Sequence, residues 1–236
     1  MNIAEKLATI AENQQKVFDA GKKAFYDEFW DNYQSFGNKT DYRYAFANGS
    51  YTSTNFSWNE KTFRPKYDIK PTVSVDRMFG FNSIKDLEAH LVDCGVVLDT
   101  SNCTNMSYMF LNSENVVIPT ISLESAASCA NLFAYAPRVT TIRKIIFGET
   151  NTNYTSAFVS CNKLENVEAG GTIPVSISFA NSPLTKDSIT SIVNALSNSA
   201  SGQTATFKKT AKELAFTTDE WSTLIATKPN WTFSLA

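Results

Sequence analysis

The side chains able to do chemistry are few in this 236-residue chain, and their spacing excludes most of it. His90 is the single histidine, so a Ser-His-Asp relay would have to use it. It stands between Ala89 and Leu91 in a segment of helical periodicity, where a surface or boundary histidine is expected. Cys94, Cys103, Cys129 and Cys161 have no CxxC spacing, and with one histidine beside them they fall short of a zinc ligand set. Cys129 and Cys161 lie near recurring phenylalanines, so both are expected to be reduced, buried packing residues, as free cysteine behaves as a small hydrophobe. Asp93 and Asp99 could supply the two carboxyl groups that glycoside hydrolysis needs, although carboxylates near a helix end are usually solvated or capping. Ala169-Gly170-Gly171-Thr172 lacks a following Lys-Ser/Thr in register, which excludes a P-loop and the dinucleotide fingerprint, and it reads as a turn. No catalytic residue, metal ligand or cofactor is assigned.

The elements that would position any site announce themselves through phenylalanine. Phe79, Phe110, Phe133, Phe158 and Phe179 recur in one local setting, 31, 23, 25 and 21 positions apart, and each is followed five or six places later by an apolar residue (Ile84, Val116, Val139, Leu164, Leu184). Such a period is characteristic of stacked repeats, which build extended surfaces. These phenylalanines are the expected repeat core. Short apolar strands accompany them at residues 96–98, 116–118, 142–147 and 173–179, with a helix at 83–94 stopped by Gly95. Parallel stacking of such strands gives an α/β fold, an irregular solenoid with a parallel stacked sheet.

Four segments follow from composition. Residues 1–35 form an N-terminal oligomerisation helix, 36–75 an ordered connector rich in Asn, Ser, Thr and Tyr, 76–184 the repeat solenoid, and 185–236 a C-terminal α/β cap. In the first, Ile3, Leu7, Ile10, Gln14 and Val17 alternate at spacings of four and three, a heptad seam, and Phe18 and Phe25 begin a broad aromatic face that continues to Tyr33. An oligomeric coiled coil is the natural reading, with three or more strands expected from the Ile and Leu distribution and a homotrimer the reading adopted; one amphipathic helix folded back on its own domain is the alternative. In the cap, Thr185 or Asp187 starts a helix running to about 199, Gly202 precedes a strand at 204–207, Thr218 starts another helix and 231–235 is a last strand.

Charge limits the partners. There are 21 basic and 23 acidic residues, and no Lys/Arg run exceeds a pair, so nucleic acid and anionic membrane are poor candidates. No stretch approaches the roughly 18 to 20 apolar residues of a membrane span, and with Glu5 and Lys6 at the start an ordinary signal peptide is not expected. The Asn-x-Ser/Thr sequons at Asn38, Asn48, Asn55, Asn102, Asn105, Asn153 and Asn230 reflect polar loops.

Three stretches resemble a known group: Phe63-Arg64-Pro65-Lys66-Tyr67-Asp68-Ile69-Lys70-Pro71-Thr72, Leu98-Asp99-Thr100-Ser101-Asn102 with Met109-Phe110 after it, and Asn230-Trp231-Thr232. They look like phage and prophage proteins of Gram-positive gut bacteria, which resemble bacterial surface leucine-rich-repeat proteins in their repeat part and are considered tail, fibre or baseplate components. The strict LxxLxLxxN ladder is degenerate here, with Phe in the core position. The resemblance implies a non-enzymatic virion protein, assembled in the bacterial cytoplasm, whose partners are copies of itself, other tail or baseplate proteins, and a host-surface glycan or protein. A tail-borne solenoid enzyme that degrades polysaccharide is the alternative.

Overall fold

The computed structural model describes Thr9, residues 12–17, 20, 21, 42, 43, 45–47 and 58–236. Among the described residues the fold is of mixed α/β type, with two parallel sheets and no barrel. Its repeating part is built on a nine-residue loop. Loops at 74–82, 105–113, 128–136 and 153–161 share one pattern. Position 1 is Ser74, Asn105, Ser128 or Asn153, and its side-chain oxygen accepts the backbone N–H two residues on, at 2.9 to 3.5 Å. Such local side-chain bonds are why Ser and Asn open turns. Positions 4 and 8 are left-handed: Arg77 and Phe81, Tyr108 and Asn112, Asn131 and Tyr135, Ser156 and Ser160, with φ between 52° and 62°.

This twist divides the backbone donors by parity. N–H groups at positions 5, 7 and 9 donate three residues back within their own loop, as Leu132 to Cys129, Ala134 to Asn131 and Ala136 to Phe133. Those at 2, 4, 6 and 8 donate forward to the next loop: Met106 to Ser128, Tyr108 to Ala130, Phe110 to Leu132 and Asn112 to Ala134, all at 2.8 to 3.0 Å. Each layer is thereby locked to its successor, and buried backbone polar groups are paired without a regular strand.

Position 6 points inward and is the recurrent phenylalanine. Phe79, Phe110, Phe133, Phe158 and Phe179 are all buried, and the column runs further than they do, from Phe46 at one end to Phe207 at the other. Successive rings lie 4.3 to 6.2 Å apart, with interplanar angles of 6° to 33°. Both ends are closed by edge-on rings, which use the electropositive ring edge against the last face. Trp58 and Phe63 meet Phe46 at 86° and 71°, and Trp221 meets Phe207 at 87°. Cys103, Cys129 and Cys161 are free and buried in the same core, while Cys94 is half-buried.

Flanking the loops are the regular elements. Helix α1 (Leu87–Cys94) is capped by Asp86, whose side chain accepts from the Ala89 N–H, and stopped by Gly95 at φ 69°. The helix therefore begins later than expected, because Asp86 takes the capping role four residues in. Strands β1 (Val117–Ile118) and β2 (Ile121–Ser122) both pair in parallel with β3 (Thr141–Phe147), which pairs in parallel with β4 (Asn166–Gly171). The Gly170-Gly171 pair is the end of β4 and not a free turn. A Cβ on Gly171 would lie 2.0 Å from the Phe147 carbonyl oxygen, so only glycine permits this approach at φ 71°. The strand expected at 96–98 reduces to one parallel bridge, Ile69 with Leu98.

Beyond the loops, β5 (Ile177–Phe179), β6 (Gln203–Phe207) and β7 (Trp231–Leu235) form a second parallel sheet. Between them run α2 (Lys186–Ala195), α3 (Lys209–Ala215) and α4 (Thr218–Ala226). Thr185 caps α2, which ends at Ala195, short of the expected 199, and Leu196 follows in extended conformation. Thr217 and Glu220 form a reciprocal capping box on α4.

Candidate functional site

The layered pattern fails at one place, and an open groove results. Extending the nine-residue frame past 153–161 puts Phe179 at position 6 and Pro174 at position 1, where proline offers neither an N–H nor the side-chain oxygen that opens the turn. The chain there becomes strand β5. Inside, contact is kept, with Phe158 and Phe179 at 4.3 Å. Outside, the walls part, leaving a groove of about 420 Å³ lined by residues 152–156, 175–178, 203, 204 and 206.

Its chemistry is uncharged. The wall is made of Thr152, Asn153, Thr155, Ser156, Ser176, Ser178, Gln203, Thr204 and Thr206, with Tyr154, Val175 and Ile177 between them. The sheet register sets the hydroxyls in rows: Ser178 pairs with Thr206 and Thr206 with Ser234, while Thr204 pairs with Thr232. Their in-between neighbours Ile177, Phe179, Ala205 and Phe207 are buried, as period-two alternation requires. Gln203 is held in place, its Oε1 accepting from the Ser176 N–H at 2.8 Å and from the Ser176 hydroxyl at 2.9 Å. The Ser176 hydroxyl accepts in turn from the Thr204 N–H at 2.9 Å.

Two further donors line this groove. In the preceding layers the N–H groups of positions 2 and 4 reach the next loop, as Cys129 to Asn153 and Asn131 to Thr155, both at 2.9 Å. In the last loop these positions are Tyr154 and Ser156, and neither N–H has an acceptor among the described residues. Farther along the same loop, Ser160 at position 8 is satisfied by the Asn181 side chain at 3.0 Å.

A second cleft, lined by Thr141, Arg143, Glu168, Asp187, Ser188 and Ser191 among others, holds charge. Its charges are largely engaged: Lys144 pairs with Glu168 at 2.6 Å, and Arg143 with Glu88 at 2.7 Å. A third is formed around Lys228, whose ammonium donates to the Leu196 carbonyl and to Asn198 Oδ1, at the C-terminal end of α2. Burial lowers the Lys228 pKa, and a cation placed on the last carbonyls of a helix is a structural cap.

His90 is buried, not at the surface: its Nε2 meets the Phe63 carbonyl and its ring stacks on Phe63 at 5.9 Å. The loop carrying Phe63 lies over the inner face of α1 and supplies the acceptor that lets an imidazole be buried. Asp93 pairs with Arg64 at 2.9 Å, and Asp99 accepts from Ser101, whose hydroxyl and N–H lower its pKa. Burial raises the thiol pKa of Cys129 and pushes that of Cys161 up to about 12, so both are held as thiols. Gln14 and Val17 are helical and exposed, Val17 at 74%. Ile3, Leu7, Ile10, Phe18 and Phe25 lie outside the described residues.

Among the described residues no helix is long and apolar enough to cross a membrane, and no three His, Cys, Asp or Glu side chains are grouped to hold a metal. Compared with known proteins, the chain matches no family model, no curated protein and no solved structure.

Proposed function

We propose that this chain is a non-enzymatic phage virion protein of the tail, a fibre or baseplate component, whose body is an irregular leucine-rich-repeat-like solenoid presented to a host surface or to another tail protein. The observation that supports the reading most is the open groove walled by hydroxyls and amides on a rigid, backbone-bonded stack. Rigid layers carrying an exposed polar wall suit recognition of an extended partner. The N-terminal helix supplies assembly as a homotrimeric coiled coil, and the solvent-exposed Val17, an apolar seam residue, is what an unassembled protomer would show.

Two measurements test it. Antibody labelling and mass spectrometry of purified particles should find the chain in the tail; its absence from particles refutes the tail assignment. Light scattering should give a trimer for the full chain and a monomer for a chain starting near Asp41, and a monomeric full chain at micromolar concentration refutes the assembly. The alternative, a polysaccharide-degrading enzyme, draws on Glu168 and Asp187 in the charged cleft, since glycoside hydrolysis uses two carboxyl groups. Shortened products on incubation with host polysaccharide would favour it, and unshortened polysaccharide is the expected result.

A further inference from the structure

We infer that the groove between the last loop and strand β5 is a binding site for a neutral oligosaccharide. The inference rests on the surface-binding part of the reading above and is independent of phage origin.

Three observations converge. First, every residue of the wall is uncharged, while the ion pairs Arg143–Glu88, Lys144–Glu168 and Lys186–Glu220 involve none of the groove's residues. An anionic ligand would want Lys or Arg and a cation carboxylates; this wall has neither. Second, the groove holds donors without acceptors: the backbone N–H groups of Tyr154 and Ser156, whose counterparts in the two preceding layers, Met106 and Tyr108, Cys129 and Asn131, are bonded forward. Unpaired main-chain donors favour a ligand rich in acceptor oxygens. Third, the hydroxyls of Thr155, Ser156, Thr204 and Thr206 make no hydrogen bond within the described residues, and each can donate and accept. Sugar hydroxyls have the same double capacity, so they satisfy such a wall in any order. The partly buried Val175 adds an apolar contact for the C–H face of a sugar ring.

An extended peptide fits less well. Adding a strand requires a straight edge with donors and acceptors alternating and pockets for every second side chain. Here the donors sit on a loop with the left-handed Ser156 between its strands of turns, and the facing wall is hydroxyl rather than pocketed. The volume of about 420 Å³ is within the range of roughly 300 to 1,000 Å³ for small-ligand sites, enough for a short oligosaccharide.

The test is a titration of the isotope-labelled full chain with maltohexaose, cellohexaose and chitohexaose, with a hyaluronan hexasaccharide as an anionic control and a Val-Thr hexapeptide as an extended-chain control. At least one neutral hexasaccharide should shift the Tyr154 and Ser156 amide resonances. Thr204→Val with Thr206→Val, which keeps side-chain shape, should weaken that binding about tenfold for the hydrogen bonds removed. The melting temperature should be unchanged, and Thr155→Arg at an exposed rim position should abolish binding with the fold intact. No shift with any neutral sugar overturns the inference, as does stronger binding of hyaluronan or of the peptide. Sugar binding that survives both variants overturns the groove while leaving surface recognition in place, and the particle experiment judges the tail assignment separately.

Discussion

Truncating Phe133 to alanine perturbs the middle of the column and should be among the most damaging single changes in the protein. Phe133 is fully buried, with Phe110 at 5.0 Å and 6° on one face and Phe158 at 5.5 Å and 21° on the other. Loss of the ring's burial plus the cavity left behind costs about 3–5 kcal/mol. The loops above and below cannot close the gap, because the Phe133 N–H is bonded to Ala157 and the Phe110 N–H to Leu132, which fixes the layer spacing. The upper part of the range is therefore expected. At about 2–4 °C per kcal/mol for a chain of this size, melting should fall by roughly 8–20 °C. Phe179→Ala belongs in the same range, since Phe179 is equally buried between Phe158 and Phe207 and is not a rim residue of the cap. Urea unfolding followed by circular dichroism gives the free energies, and a double-mutant cycle tests the stack itself. Phe110→Ala with Phe133→Ala should couple by about 0.5–1.5 kcal/mol, whereas Phe79→Ala with Phe179→Ala, with three rings between them, should add within about 0.3–0.5 kcal/mol. An unchanged midpoint for Phe133→Ala, or equal coupling in both cycles, would refute the column as the source of stability.

Other consequences are as direct. In hydrogen exchange, the Tyr154 and Ser156 amides should exchange fast while Cys129 and Asn131, their bonded counterparts, stay protected; equal protection would mean the layer pattern does not break there. Tyr135 is 55% exposed at φ 55°, so Tyr135→Asn should be tolerated while Tyr135→Val costs about 1–2 kcal/mol in urea unfolding, a difference set by backbone and not by burial. Glu220 is held at a pKa of about 2 by the Lys186 ammonium and then by Thr217. Because its folded pKa is depressed, its contribution is present above the ordinary carboxylate value and fades as pH falls toward about 2. Glu220→Gln, which can still cap, should therefore melt below the wild type at pH 7 and level with it near pH 2; a gap that persists in acid would show the charge is irrelevant.

The recurrent phenylalanines were legible in the sequence because burial of a large ring at a fixed place in a repeat leaves a period that no surface pressure erases. The helix starts were legible for the same kind of local reason: Thr185, and Thr217 beside the expected Thr218, satisfy orphan N–H groups within one turn of themselves. Even the hydroxyl wall had a signal, in the alternation of Ser176-Ile177-Ser178-Phe179 and Thr204-Ala205-Thr206-Phe207, where every second residue is apolar. What tertiary structure alone decided is where those rows meet and what they face. The left-handed positions carry Arg, Phe, Tyr, Asn and Ser, with no glycine to mark them, since layer-to-layer hydrogen bonds hold φ positive against the preference of the side chain. The burial of His90 depended on a carbonyl 27 residues away, at Phe63. The groove exists because Pro174 ends one mode of stacking beside a loop still built for it, and the amide donors of Tyr154, Ser156 and Phe158 are left without the layer they would have joined. Composition and period report what each residue prefers by itself; a missing partner is a property of two segments, and only their packing reveals it.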